Sequence, residues 1–428
     1  MGLLPRRYVD LFSMPSVRAV VAGGFAGRLA FGFLSLVFIL LVHQKTDSFA
    51  AAGVVTAAFS LGLGAAPLCA RLIDRFGARV LLVLAAGHAL ALFAVLALLL
   101  DGAPVVPLVF CTWCAGLFLP PVGPVMRSIW RATLDDPDLQ TAAISFESVT
   151  MEVVWLIGPL LVAVATATGG LLVLLALGPV LTLVGTTTIV VAAGHHLGAG
   201  VERRGSAGRE RDKLGALRAP EVRLLVLNAF PVGICLGCVE VAIAAFANAR
   251  LGPAYAGVLL ATLSIGGITC GLAYGARAQH RRLRTRFLRL TLLIALLVAL
   301  LAATGWIPAT VLLLIAFGGA FAVTLVVANQ LIGEIALPGT VTEAFTWQTG
   351  MLQMGVALGT TIAGIAAEHR GASAGFAAGA LAMLIAAAGA TYLVRRARAA
   401  VQAAPAPAPG EGGARVLIDD GSPSSHQG

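Results

Sequence analysis

Four acidic or basic residues sit well away from the ends of apolar stretches that are long enough to cross a bilayer. Glu147 and Glu152 lie in 141–166, Arg28 in 17–42 and Glu240 in 222–247. A spanning helix needs about 20 apolar residues. A charge at that depth costs at least a few kcal/mol, so it faces a partner or a water-filled cavity and marks a pathway. Glu152 is about 16 Å along its helix axis at 1.5 Å per residue, near the midplane. A carboxylate there can carry a proton or hold a cation. Glu147 is only about 9 Å in, within reach of arginines at the membrane edge. It points about 140° away from Glu152 around the helix, so the two acids do not form a pair. A buried charge needs a counter-charge, and Arg28 is therefore expected to pair with Glu152 or Glu240.

The stretch around Glu152 has an echo. Shifted by 201 residues, Glu147 falls on Gln348, Glu152 on Gln353, Ser145 on Thr346, Ser148 on Thr349 and Gly158 on Gly359. Ser145, Ser148 and Glu152 are spaced i, i+3, i+7, along one face of a helix, and their counterparts repeat that stripe. A second echo, at a shift of 204, sets Gly53, Val54, Ala57, Ser60 and Gly62 on Gly257, Val258, Ala261, Ser264 and Gly266. Glutamine hydrogen-bonds without ionising, so only the first copy of the polar stripe is titratable.

These elements belong to twelve apolar stretches: 17–42, 51–72, 80–100, 105–129, 141–166, 171–193, 222–247, 254–276, 287–304, 309–332, 341–367 and 371–394. Hydrophobic residues make up 59% of the chain, charged ones 11%, and the mean hydropathy is +0.94. That composition excludes a soluble domain and implies an all-α membrane protein. Six spans per half make both copies enter the membrane the same way, a parallel repeat. The halves are 1–194 and 221–398. A basic linker, 195–220, joins them, and a Pro-, Gly- and Ser-rich tail, 399–428, is expected to be disordered.

The net charge of +9 is a topology signal. With the N-terminus inside, every Lys and Arg falls on the cytoplasmic side except Lys45, Arg250 and Arg370 outside and Arg28 within a span. Nucleic acid is thus excluded as a partner. Both termini are expected in the cytoplasm of an inner (plasma) membrane, with no cleavable signal. Trp130, Tyr274 and Tyr392 at inner ends, and Tyr255 and Trp306 at outer ends, are expected interface anchors. The pairs Cys111/Cys114 and Cys235/Cys238 have metal-like spacing, but they sit in apolar helices without a nearby His and read as packing residues. His88 reads as a packed histidine. Gly23/Gly27, Gly267/Gly271 and Gly355/Gly359 read as close-packing pairs. There is no phosphate-binding loop and no cluster of metal ligands, so no cofactor and no enzyme activity are expected.

The residues Ala70-Arg71-Leu72-Ile73-Asp74-Arg75-Phe76-Gly77-Ala78-Arg79, between the second and third stretches, resemble a signature of the major facilitator superfamily, G-x-L-A-D-R-x-G-R-K/R. Leu72, Asp74, Arg75, Gly77 and Arg79 match, and Ala70 and Ala78 depart. The resemblance implies two six-helix halves that rock about a midplane site. It also implies a gating latch at Asp74, Arg75, Gly77 and Arg79 with Arg127 or Arg131. The arginine motif of proton-coupled drug antiporters is replaced by Thr112-Trp113-Cys114-Ala115-Gly116, while Gly158-Pro159 of their helix-five motif is kept. The resemblance points first to proton-coupled efflux of a small amphipathic molecule by a monomer. Metabolite uptake, or a non-transporting sensor or scaffold, are the alternatives. Arg28, Glu147, Glu152, Glu240, Gln348 and Gln353 form the expected substrate and proton pathway.

The orientation has a direct test. Single cysteines placed near Lys45, Arg250 and Arg370 should react with an impermeant thiol reagent in intact cells, while cysteines in 195–220 should not. Labelling of that linker from outside would reverse the topology.

Overall fold

The computed structural model describes residues 12–134, 137–204, 215–275, 283–337 and 341–403. All regular structure among the described residues is helical. In chain order the helices are α1 Pro15–Thr46, α2 Phe49–Leu63, α3 Ala66–Phe76, α4 Ala78–Leu100, α5 Val105–Leu117, α6 Val122–Thr133 and α7 Pro137–Ala167. There follow α8 Leu171–Arg204, α9 Pro220–Arg250, α10 Tyr255–Gly275, α11 Leu283–Ala303, α12 Ile307–Ile335, α13 Val341–Arg370 and α14 Ala372–Ala403. Among the described residues ten helical segments are long and apolar enough to cross a membrane, against the twelve expected; two further apolar ones, Phe49–Leu63 and Tyr255–Gly271, are shorter.

Two of the expected spans are jointed. The second breaks at Gly64 and Ala65 between α2 and α3, where Pro67 lies in the first turn of α3 and has no N–H to carry the ladder across. The fourth breaks between α5 and α6, at residues 118–121, which include Pro120 and Pro121. Their counterparts in the second half, α10 and α12, run without a break. Helix α8 stays helical to Arg204, beyond the polar boundary at 195. Most of the tail expected to be disordered, 404–428, lies outside the described residues, as does 205–214 of the linker.

The echoed sequences meet each other. A Cβ on Gly53 of α2 would collide with the Thr360 carbonyl oxygen of α13, and a Cβ on Gly257 of α10 would collide with that of Pro159 in α7. Thr360 is the repeat counterpart of Pro159, and Gly257 that of Gly53. The repeat therefore forms the two main crossings between halves, α2 on α13 and α7 on α10. Glycine lets the helices touch backbone to backbone. The same pattern holds inside each half. Gly62 abuts the Trp113 carbonyl of α5, and its counterpart Gly266 abuts the Ile315 carbonyl of α12. Of the expected close-packing pairs, Gly23 packs on Gly185, and Gly355 and Gly359 pack on α9. Gly267 and Gly271 do not behave this way: open space surrounds Gly271.

The two membrane faces differ. Toward the face opposite the termini, one apolar core runs through both halves and includes Phe33–Val42 of α1, Phe59 of α2, Val239–Ala247 of α9 and Ala363 of α13. On the side of the termini the core splits. One cluster, with Val17, Met126 and Trp130, belongs to the first half, and another, with Val222, Phe287 and Val327, to the second. The halves are thus fused at one face and independent at the other. Polar tethers reinforce the fused face. Ser48 caps α2 by accepting from the Ala51 N–H at 3.1 Å. Its hydroxyl donates in turn to Glu368 of α13, and the Ala50 N–H donates to the same carboxylate at 2.8 Å. Asn248 of α9 meets His43 of α1 at 3.2 Å.

Glu368 ties the other half to the first turn of α2, where the helix dipole favours an anion. Glu368→Ala should loosen the fused face by roughly two- to fivefold in population, given the usual worth of such capping contacts. Distances between spin labels at positions 47 and 251 would report it. An unchanged distribution would show that the apolar core alone holds this face shut.

Candidate functional site

The first crossing that matters for the site lies within the first half. Gly32 of α1 and Gly158 of α7 touch backbone to backbone, with Gly32 also against the Val154 carbonyl. This contact fixes the register of the two helices. Side chains lean toward the N-terminus of their helix, so Arg28, one turn before Gly32, reaches below Glu152. Its Nη2 donates to Glu147 Oε1 at 2.7 Å. The expected pairing of Arg28 with Glu152 or Glu240 is therefore not the one formed. Glu147, five residues nearer the terminal side, takes it instead.

A second arginine shares the same oxygen: Arg127 Nη1 of α6 lies 3.3 Å from Glu147 Oε1. Arg28 also meets Met126 Sδ at 3.3 Å. Gly123 lines the cluster, its Cβ position 3.5 Å from both Arg28 Nη2 and Glu147 Oε1. Arg28 and Glu147 are each 6% exposed. The Arg127 side chain is 46% exposed and presents the cluster's excess positive charge to solvent. Glu147 Oε2 is buried with no hydrogen-bond partner.

Glu152 and Glu240 stand apart from this cluster, and both are half-buried. Glu152 points from α7 across to the other half, its Oε2 3.7 Å from where a Cβ on Gly267 of α10 would lie. Gly267 thus lies at ordinary contact distance from the carboxylate, as it does from Ala322 and Gly318 of α12. Among the described residues Glu152 has no hydrogen-bond or ion-pair partner. Glu240 of α9 lies beside Ser35 of α1, across the contact between halves. Sequence reasoning missed Ser35, although Arg28, Gly32 and Ser35 share one helix face at i, i+4, i+7. It also missed Glu368, because acids at a span's end read as ordinary loop charges.

In the second copy of the stripe, Gln348 is buried, Gln353 is half-buried, and Thr349 donates to its own helix at the Phe345 carbonyl, 2.9 Å away. The side chains of Ser145 and Ser148 are not among those described. The same holds for Asp74 and Arg75 of the expected latch, which lie on α3. Gly77 joins α3 to α4 with φ 76°, a left-handed conformation that suits glycine, and Arg79 is exposed. Arg127, expected near the latch, is engaged with Glu147. His88 is fully buried, with Nδ1 2.7 Å from the Ala115 carbonyl, and is packed as expected.

Removing one member of a buried pair leaves an uncompensated charge, at a cost of about 3–5 kcal/mol. Glu147→Ala should therefore sharply lower the unfolding midpoint of the purified protein, because it strands Arg28. Arg127→Gln, at a half-exposed position, should change stability by no more than about 1 kcal/mol. Equal midpoints for the two variants would show that the buried pair is not a structural brace.

The sequence profile of the Major Facilitator Superfamily matches residues 20–302. A comparison with curated protein sequences finds no match. Solved structures that resemble the chain include the nucleoside transporter NupG, at TM-score 0.68 and 13% identity over 91% of this chain and 100% of that one. Another is the POT family transporter PepTSo, at TM-score 0.69 and 11% identity over 90% and 98%. A third is the human organic anion transporter MFSD10, at TM-score 0.59 and 16% identity over 88% and 100%. At these identities the likeness is one of fold. With the profile spanning most of the chain and the parallel halves on the page, this multi-pass membrane protein belongs to the Major Facilitator Superfamily and has the fold of its carriers.

Proposed function

We propose that this chain is a proton-coupled secondary transporter of the plasma membrane. In this reading it acts as a monomer, with both termini in the cytoplasm, and exports a small amphipathic molecule by alternating access. The observation that carries the reading is Glu152, a carboxylate well inside a span. It reaches across the contact between the halves with no counter-charge among the described residues. Because Arg28 is held by Glu147, nothing cationic among the described residues balances Glu152. Its charge must then be met by water, by a proton or by a cationic cargo. Protonation removes that need and frees the halves to rearrange around a neutral group. Deprotonation favours whichever arrangement keeps water at the site.

The repeat supports an asymmetric role for this residue. Gln353 holds the equivalent position and cannot release a proton, so one half keeps the titratable side chain. Glu240, beside Ser35 of α1 across the halves, is the second candidate for the proton. The fused face and the split terminal face fit one end-state of alternating access, open to the cytoplasm in the proposed orientation. The export direction leans on Gly158-Pro159 in α7, by analogy with antiporters. Uptake is the second reading, favoured by the resemblance to structures described as nucleoside and oligopeptide transporters.

Purified Glu152→Gln in proteoliposomes tests the reading. The variant should fold, and its transport should lose the pH dependence of the wild type. An unchanged pH–rate profile at full activity would remove Glu152 from coupling and turn attention to Glu240. Flux that runs down the proton gradient together with the cargo would favour uptake. The absence of flux across a broad panel of compounds would favour a sensor.

A further inference from the structure

One aromatic residue close to the unpaired carboxylate takes no part in the glycine scaffold. Trp155 of α7 lies one turn beyond Glu152, about 4.5 Å further along the helix. It is 41% exposed. Its neighbours on α7 show what it faces. Gly158, which touches Gly32 of α1, lies about 60° to one side of it around the helix. Glu152, which faces α10, lies about 60° to the other side. Trp155 therefore looks out between α1 and α10. The exposed Leu160 and Val164 lie about 140° and 180° away from it, on the lipid side.

A second ring fixes the direction. The indole packs edge-on against Phe31 of α1, with ring centroids 5.2 Å apart and planes at 70°. Phe31 is one turn before Ser35, and Ser35 is beside Glu240 of the other half. The two rings thus stand on the side of the bundle where the halves face each other. There they share one lining with the carboxylates of Glu152 and Glu240. Among the described residues neither acid has a basic partner, since Arg28 and Arg127 are both engaged with Glu147. The aromatic wall belongs to the first half. Val356 stands at the repeat position of Trp155 and is buried.

We infer that Trp155 and Phe31 form the cargo-reading wall of this site and that the cargo is a monovalent organic cation with an apolar body, a substrate class that rests on the transporter reading above. The positive centre lies over the indole and against Glu152. A ring face attracts a cation within about 6 Å of its centroid, and the one-turn spacing of Trp155 and Glu152 puts both within reach of one charge. Phe31 and the uncovered part of the indole take the apolar body. Two carboxylates repel an anion, and a neutral molecule leaves an ionised Glu152 without a counter-charge. A hydrated metal ion gains little from rings, and no cluster of metal ligands exists among the described residues.

Binding measured without a gradient tests this separately from coupling. Purified full-length protein is mixed with labelled tetraphenylphosphonium at mildly alkaline pH in a scintillation proximity assay. Saturable binding is expected. Neutral triphenylphosphine oxide carries the same rings and should compete roughly tenfold more weakly or worse. Trp155→Leu should weaken binding roughly tenfold, and Trp155→Phe, which keeps a ring face, no more than about threefold. Glu152→Gln should weaken it too and erase the preference for the cation. Equal competition by the neutral compound would overturn the inference, and that result needs no variant to fold. So would wild-type affinity in a folded Trp155→Leu. So would the absence of saturable binding for both tetraphenylphosphonium and the smaller phenyltrimethylammonium. Cation binding without flux of any cation in proteoliposomes would keep the inference and sink the transport reading. Proton-coupled flux of a neutral compound that neither cation inhibits would do the reverse.

Discussion

Two carbonyl oxygens, those of Thr360 and Pro159, set the geometry of this protein. Each lies against a glycine of the opposite half, Gly53 and Gly257, at a distance no other residue would allow. In a bilayer there is no hydrophobic force to push helices together, so close backbone contact and the dispersion it brings must do so. Because the two crossings are copies of one another, the halves meet along two matched seams. The space between the seams is where Glu152 and Glu240 lie. Widening either seam would open a path at the fused face, and narrowing the split terminal face would require the helices to pivot about these same glycines.

Charge placement follows from that scaffold. The register set by Gly32 on Gly158 decides which acid Arg28 can reach, and it selects Glu147. The result is a division of labour between two glutamates on one helix. Glu147 takes two guanidinium groups and stays within the first half. Glu152, about 140° around the helix, faces the second half without a counter-charge among the described residues. A single helix thus carries a fixed ion pair on one side and a titratable group on the other. The second half holds glutamines at both equivalent positions.

The fold was legible because the bilayer imposes length, apolarity and charge bias on every span, and all three are visible in a one-dimensional string. The repeat was legible as well, since Gly53 and Gly257, or Glu152 and Gln353, keep their spacing. What escaped was the pairing of side chains across helices. Arg28 seemed destined for an acid at its own depth, but the lean of a long side chain toward its helix N-terminus moved the contact by more than a turn. The GxxxG spacing at Gly267/Gly271 was likewise ambiguous. Spacing shows that backbones could approach there, and only the neighbouring helices show that none comes closer than ordinary contact. Trp130 read as an interface anchor from its position near a span's end, and burial beside a cavity overrode that.

The two broken spans give the halves unequal stiffness. The first half is jointed at Gly64–Ala65 and again at residues 118–121, whereas α10 and α12 in the second half are unbroken rods. Bends at such points concentrate backbone rotation in a few residues. A load applied to the terminal side would therefore deflect α3 and α6 before it tilts α10 and α12. One half behaves as a rigid frame and the other as a hinged panel. The panel's bends lie at its joints, so α3 and α6 can swing while the glycine seams behind them stay in place.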